Sequence, residues 1–144
     1  MTERERLLQD AYAVLTPVVD PLDASDSVDR FFRLGGRSVV LGMSREEYLG
    51  HAMSDGRRVR ETPAFLASRI GAWQTQAHGP VIVAADVEVG GINRVHWTTE
   101  PLSRDIGAED LVQALEQAAV ASREVGVNLW LGPIADVLTG RNDW

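Results

Sequence analysis

The chain has 144 residues, of which 44% are hydrophobic and 24% charged, values that suit a single domain with its own core. A formal net charge of −7 argues against a nucleic-acid partner, and the absence of cysteine and lysine excludes disulfides, thiolate metal sites and Schiff-base chemistry. The charged N-terminus does not resemble a signal peptide and no apolar run approaches the roughly 20 residues of a membrane span, so we expect a soluble, cytoplasmic protein that is not bound to a membrane.

The first third of the chain predicts one helix and one buried strand. Residues 2–15 have helical spacing of apolar side chains, and two prolines then end the helix. Segment 23–36 carries a short apolar cluster, and residues 38–43 predict the first strand. We therefore divide the chain into an N-terminal helix with a connecting segment, residues 1–36, and a main unit, residues 37–144.

The middle of the chain predicts two helices. Ser44 and Glu47 have the spacing of a capping box, which indicates a short helix. The arginine-rich run at 57–60 is expected to be a solvated loop. Thr62-Pro63 then begins a longer helix, with threonine as the N-cap, and Gly79 ends it.

The remainder continues an alternation of strands and helices. Residues 81–85 predict a strand buried on both faces, residues 108–125 predict a helix that Gly126 ends, and residues 127–136 predict a third strand. Helical connections of this length suit right-handed crossovers between parallel strands. The predicted fold class is therefore α/β, with about three parallel strands and intervening helices.

Polar side chains follow the predicted strands. The first strand ends at Met43 and Ser44, the second at Asp86 and Glu88, and the third at Asp136. Carboxyl ends of parallel strands share one edge of the sheet, where α/β proteins place their binding sites. Paired carboxylates suit sugar chemistry, although an acid in this position also commonly caps a helix or anchors a loop.

Other chemistry is not indicated by the sequence. The three histidines lack metal-ligand spacing, the Gly90-Gly91 pair is not a dinucleotide fingerprint, and no serine–histidine–aspartate arrangement follows the strands. We therefore predict no catalytic residue, no metal and no cofactor.

Two segments together resemble a known family. The first is Asp86-Val-Glu-Val-Gly-Gly-Ile-Asn-Arg94, and the second is Gly126-Val-Asn-Leu-Trp-Leu-Gly-Pro-Ile-Ala-Asp-Val137. With the intervening segment 98–103, they resemble the N-terminal barrel domain of glycoside hydrolase family 3, in particular the β-N-acetylhexosaminidases. The resemblance covers roughly residues 31–143. The chain departs from the family pattern at Val89, where a glycine is usual, and at Gly91, where an arginine is usual.

The resemblance implies a partial TIM-type (β/α) barrel with a carbohydrate ligand. It implies that Asp86 holds hydroxyls of the bound sugar and that Glu88 and Arg94 shape the loop. Two further residues are candidates for substrate binding because they follow this loop. His96 could line the site and Trp97 could stack on a sugar ring, with simple packing as the alternative for both.

The family's catalytic groups lie on later strands that have no counterpart in this sequence. We therefore expect no glycoside hydrolysis by the 144 residues alone. The chain could be the N-terminal piece of a longer enzyme, a subunit of a split barrel completed by a partner chain, or a degenerate relative that pairs with itself and binds sugar without catalysis. A small doubly wound module that binds an unrelated ligand is a further alternative.

Overall fold

Four parallel strands form the centre of the fold. The computed structural model describes residues 1–23, 25–98 and 105–132. The strands are β1 (Val18–Val19), β2 (Ser38–Leu41), β3 (Ile82–Asp86) and β4 (Leu129–Leu131), and they lie side by side in chain order. The helices of the described residues are α1 (Glu3–Ala13), α2 (Ser27–Arg33), α3 (Arg45–Leu49), α4 (Asp55–Arg60), α5 (Pro63–Gln76) and α6 (Ala108–Val125). The α/β class and the parallel sheet are confirmed.

Strand β1 was not predicted, and the sheet has four strands instead of about three. Pro17 and Pro21 lie on either side of this two-residue strand. The carbonyl oxygens of Pro17 and Val19 accept the N–H groups of Val40 and Gly42, at 3.0 and 2.7 Å. Prolines are compatible with the ends of an edge strand, and two residues are too few to give a periodic pattern.

Three helix boundaries follow the predicted capping residues, whereas α5 ends at Gln76, before the predicted Gly79. Ser44 and Glu47 form the expected capping box at the start of α3. The Thr62 hydroxyl accepts the N–H of Phe65 at the start of α5, and α6 ends at Gly126, whose φ of +94° suits glycine. These predictions are confirmed because each depends on contacts within one turn of helix.

The prediction of a solvated loop at residues 57–60 was wrong. Ser54 accepts the N–H of Arg57 and begins α4. The Arg57 side chain is only 5% exposed, because it points inward toward three carboxylates. Arg58, Val59 and Arg60 remain exposed, so the run is one side of a short helix.

The main core lies between the sheet and the layer formed by α2, α5 and α6. One set of alternating strand residues faces these helices, as the two-residue period of a strand requires. From the sheet, the core takes Val19, Val39, Leu41, Val83 and Ala85, and from the helices Phe32, Leu66, Ile70, Trp73 and Val125. Residues 18–33, which the sequence assigns to a connecting segment, thus supply β1 and α2 to the same core.

The opposite side of the sheet is apolar and largely uncovered. We call it the open face, and it consists of the strand residues Val18, Val40, Ile82, Ala84, Leu129 and Leu131. Exposure is 63% for Val18, 50% for Ile82, 45% for Leu129 and 41% for Leu131. None of the helices in the described ranges could cross a membrane, since none is both long and apolar enough.

Candidate functional site

Asp86 is the last residue of β3, and its side chain follows Ile82 and Ala84 on the side of the open face. It is half-buried, pairs in register with Leu131, and accepts a hydrogen bond from the Tyr48 hydroxyl at 3.4 Å on Oδ2. Burial raises the pKa of Asp86, although the hydrogen bond from Tyr48 and the charge of Arg94 act in the opposite direction. The carboxylate therefore lies in an environment that favours its neutral form more than water does.

The loop that follows β3 folds back on itself. The N–H of Glu88 donates to the carbonyl of Ile92 at 2.9 Å, and the N–H of Ile92 donates to Oε2 of Glu88 at 3.2 Å. The Glu88 carboxylate also lies directly against Gly91, where a Cβ atom would collide with it. Glu88 is thus used inside its own loop.

Arg94 is fully buried below this loop. Its backbone N–H donates to the carbonyl of Asp86 at 2.9 Å, and its Nη2 donates to Oε1 of Glu61. Its Nη1 lies 3.8 Å from the sulfur of Met53, and its Nε has no partner among the described residues. The side chain therefore joins the loop after β3 to the end of α4 from the inside.

A second arginine connects three carboxylates at the same edge of the sheet. Arg57 donates to both oxygens of Asp20, at 2.9 and 2.6 Å, to Glu47 at 2.7 Å and to Glu61 at 2.8 Å. Since Glu61 also binds Arg94, the five side chains form one continuous network, which we call the arginine network (Asp20, Glu47, Arg57, Glu61, Arg94). The sequence analysis did not predict this network. The only signal for it in the sequence was the i,i+4 spacing of Arg57 and Glu61.

Two carboxylates of the arginine network, Glu47 and Asp20, are held in their charged form. Burial alone would raise the pKa of Glu47, but hydrogen bonds from Ser54, Arg57 and Ser44 outweigh it and lower the pKa to about 2. Burial likewise opposes ionisation of Asp20, and Arg57 still lowers its pKa. A buried ion network of this kind is stable only while each member keeps its partners. The network therefore acts as a rigid support beneath the sheet edge.

His96 and Trp97 contact each other and the protein interior. The His96 Nε2 lies 3.3 Å from the carbonyl of Arg58, and the two rings meet edge to face with centroids 5.2 Å apart. Burial lowers the pKa of His96, so the neutral ring is favoured. Trp97 is partly buried and packs against both core clusters, as Trp130 does. No described contact joins either ring to Asp86.

The other predicted strand ends contribute differently. Ser44 caps α3, and Met43 is buried with Met53, Ile92 and Tyr48 in a small cluster beside the candidate site. Asp136 and segment 99–104 lie outside the described residues, as does Arg141. Within the part of the chain that is described, no group of three or more histidine, aspartate or glutamate side chains could hold a metal ion.

Asn128 has a role that the sequence motif did not reveal. Its side-chain oxygen accepts the N–H of Val83 at 2.9 Å, and its amide donates to the carbonyl of Val81 at 2.8 Å. Its own backbone N–H donates to the carbonyl of Val83 at 3.0 Å. Asn128 therefore fixes the start of β4 against β3 and sets the register that places Leu131 beside Asp86.

Comparison with family models, with characterised proteins and with solved structures returned no match for this chain. The family resemblance of the two segments therefore remains a prediction, and a proposal for function depends on the geometry at Asp86.

Proposed function

We propose that this chain is a carbohydrate-binding domain of partial TIM-barrel type, related to family 3 glycoside hydrolases, in which Asp86 accepts hydrogen bonds from sugar hydroxyls. One observation carries the proposal. Asp20, Glu47 and Glu61 are occupied by arginine, whereas in the described structure the Asp86 carboxylate accepts one side-chain hydrogen bond, from Tyr48 at 3.4 Å. Asp86, at the end of β3, thus has acceptor capacity left for a ligand, which the carboxylates held by arginine lack.

The surroundings of Asp86 suit a sugar. A pyranose presents hydroxyl donors on its edge and C–H groups on its faces, so its sites combine charged acceptors with apolar surface. Asp86 supplies the acceptor, and Leu131, its neighbour in register on β4, supplies apolar contact. Partial burial strengthens hydrogen bonds to the charged carboxylate, because water competes less.

The sheet topology supports the barrel interpretation over a doubly wound module. The strand order β1-β2-β3-β4 has no reversal, and the contacts between α2 and α5 and between α5 and α6 place these helices in one layer. Doubly wound sheets reverse their strand order and carry helices on both faces, whereas (β/α) barrels add strands in sequence and keep helices outside.

We further propose that the 144 residues bind sugar without hydrolysing it. Glycoside hydrolysis by the common mechanisms needs two carboxyl groups on opposite sides of the scissile bond, about 5–9.5 Å apart. Among the described residues, the carboxylates nearest Asp86 are engaged elsewhere, since arginine holds those of the network and Glu88 accepts the N–H of Ile92 within its own loop. Asp86 and Glu88 are therefore proposed as a binding and a structural residue.

The test is a titration of the full chain with N-acetylglucosamine and with glucose, followed by amide chemical shifts. We expect one of these sugars to bind and Asp86→Asn to weaken its binding at least about tenfold, the loss expected for a charge-assisted contact. The matched control is Glu116→Gln, which removes a carboxylate from the exposed side of α6 and should leave the affinity unchanged.

Thermal unfolding separates lost binding from lost structure. Because the pKa of Asp86 is raised in the folded state, folding is favoured by protonation and this contribution is lost as pH rises through the folded pKa. Asp86→Asn should therefore have a melting temperature at neutral pH equal to or above that of the wild type. Failure of both sugars to bind at tens of millimolar (a Kd weaker than about 10 mM), unchanged affinity in Asp86→Asn, or turnover of nitrophenyl β-glycosides by the isolated chain would each contradict the proposal.

A further inference from the structure

In the described part of the chain, the sheet has two unpaired edges and one largely uncovered face. Within the described residues, β1 pairs only with β2 and β4 only with β3. On the open face the side chains nearest these edges, Val18 and Leu129, are 63% and 45% exposed, whereas Ala84 at the centre is 1% exposed. Exposed apolar surface therefore continues to both edges of the sheet, where further strands would have to add to cover it.

The edge at β1 is prepared for another strand. The carbonyls of Pro17 and Val19 point toward β2, so Val18 between them directs its N–H and C=O away from the sheet. A groove of about 250 Å³ lies along this edge between β1 and α2, lined in part by Pro17, Val19, Val28 and Phe31. At the β1 edge, an unpaired strand therefore lies next to an accessible groove beside α2.

We infer that a second copy of this chain occupies the open face, so that the two sheets close one eight-stranded parallel barrel. A two-fold axis parallel to the strands places β4 of each copy beside β1 of the other in parallel orientation. Such an isologous contact uses the same two edges twice and leaves no strand unpaired. Eight strands is also the number at which a closed barrel is filled by its own side chains.

The chemistry of the open face favours this occupant. Its six side chains are all uncharged, and Asp86, which lies on the same side of the sheet, is the last residue of β3. Two chains of net charge −7 can therefore meet through these apolar side chains, with the two Asp86 carboxylates at the end of the barrel instead of its centre. At the adjoining sheet edge, arginine compensates Asp20, Glu47 and Glu61, whereas Asp86 has no ion pair among the described residues. The β1 edge of one copy can pair with the β4 edge of the other, so no partner of different sequence has to be assumed.

The dimer goes beyond the proposed function and is tested separately from it. In the closed barrel both Asp86 side chains face the same mouth, because all eight strands end at one side. The association itself involves neither Asp86 nor a sugar. Experiments without sugar therefore decide the dimer, whatever the outcome of the sugar titrations.

Sedimentation equilibrium of the full chain measures the association. In about 0.3 M salt, which limits the repulsion between like-charged copies to a few ångströms, we expect a monomer–dimer equilibrium with a dimer of twice the 15.8 kDa chain mass. Leu129→Lys and Ile82→Lys, each placing a charge on the open face, should raise the dissociation constant about 100-fold or more, because each dimer would bury two such charges. Val120→Lys, on the exposed outer side of α6, is the matched control and should not change it.

Hydrogen exchange of the amides of Val18 and Asp20 identifies the mode of contact. We expect both to exchange more slowly as protein concentration rises, and to lose this protection in Leu129→Lys while circular dichroism shows that the variant is folded. A monomer at about 200 µM, where even weak dimers of micromolar affinity are populated, would overturn the inference. So would a dimer that persists in both lysine variants, or one in which the Val18 and Asp20 amides stay unprotected.

Discussion

Replacing Arg57 with methionine tests whether the arginine network supports the fold. Methionine keeps much of the length and the apolar stem of the side chain but removes the charge and every donor. The change leaves Glu47 and the fully buried Glu61 without this cation, and Asp20, which is 30% exposed, without its bidentate partner. Glu61 retains Arg94, so the penalty falls mainly on Glu47 and Asp20.

Breaking a buried ion pair by removing one partner costs about 3–5 kcal/mol. Asp20 is partly solvated and recovers some of this through water, so we expect a loss of about 4 kcal/mol in the free energy of unfolding. Since domains of this size have about 5–15 kcal/mol in total, the variant should be close to unfolding at 37 °C. The stability of Arg57→Lys should lie between those of the wild type and Arg57→Met, because lysine retains the charge but cannot donate to three carboxylates in one plane.

Urea unfolding followed by circular dichroism measures these differences. The control is Arg58→Met, the exposed neighbour in α4, which should change the stability by no more than about 0.5 kcal/mol. The loss in Arg57→Met should also shrink toward acidic pH, where protonation removes the uncompensated charges. If Arg57→Met costs less than about 1 kcal/mol, or no more than Arg58→Met, the network does not stabilise the fold as argued.

Two further outcomes follow from individual side chains. The folded-state pKa of Glu47 is depressed from 4.5 to about 2, so the stabilisation that its charge provides is present above pH 4.5 and is lost as pH falls toward 2. The melting temperature of the wild type should therefore decrease over this pH range, and that of Glu47→Gln should decrease less. Asn128→Ala leaves the N–H of Val83 and the carbonyl of Val81 without their side-chain partner and should cost about 1–3 kcal/mol in urea unfolding. Gln117→Ala on exposed α6 is its control, and equal stability of the two variants would show that Asn128 does not fix β4.

Local signals in the sequence predicted most of the helix boundaries and the position of Asp86. The capping residues Ser44 and Thr62 act within three residues of themselves, so their effect is visible in a short window of sequence. The apolar run before Asp86 predicted the strand, but the prediction that both of its faces are buried was wrong at Ile82, which is 50% exposed on the open face. The position of Asp86 at the end of that strand followed from the point where the apolar run stops.

Contacts between distant residues could not be predicted in this way. Arg57 meets Asp20 across 37 positions of sequence, and Tyr48 meets Asp86 across 38, and neither spacing has a periodic signature. An arginine run without apolar spacing looks like a solvated segment, because nothing in the run itself shows that one guanidinium has three carboxylate partners. Strand β1 was not predicted for a related reason, since its two residues are recognised as a strand only through their pairing with β2.

The position of Asp20 has a consequence for shortened forms of the protein. This residue directly follows β1, and its carboxylate is the only one of the network contributed from before β2. The same stretch of chain supplies Phe32, which is fully buried and stacks on Trp73 with ring centroids 5.9 Å apart. A recombinant version that starts at residue 37 would lack an outer strand, a core aromatic and a counterion together. Residues 18–33, with β1, Asp20 and α2, are therefore an integral part of the molecule, and deletion series should trim from within α1, whose side chains are not buried.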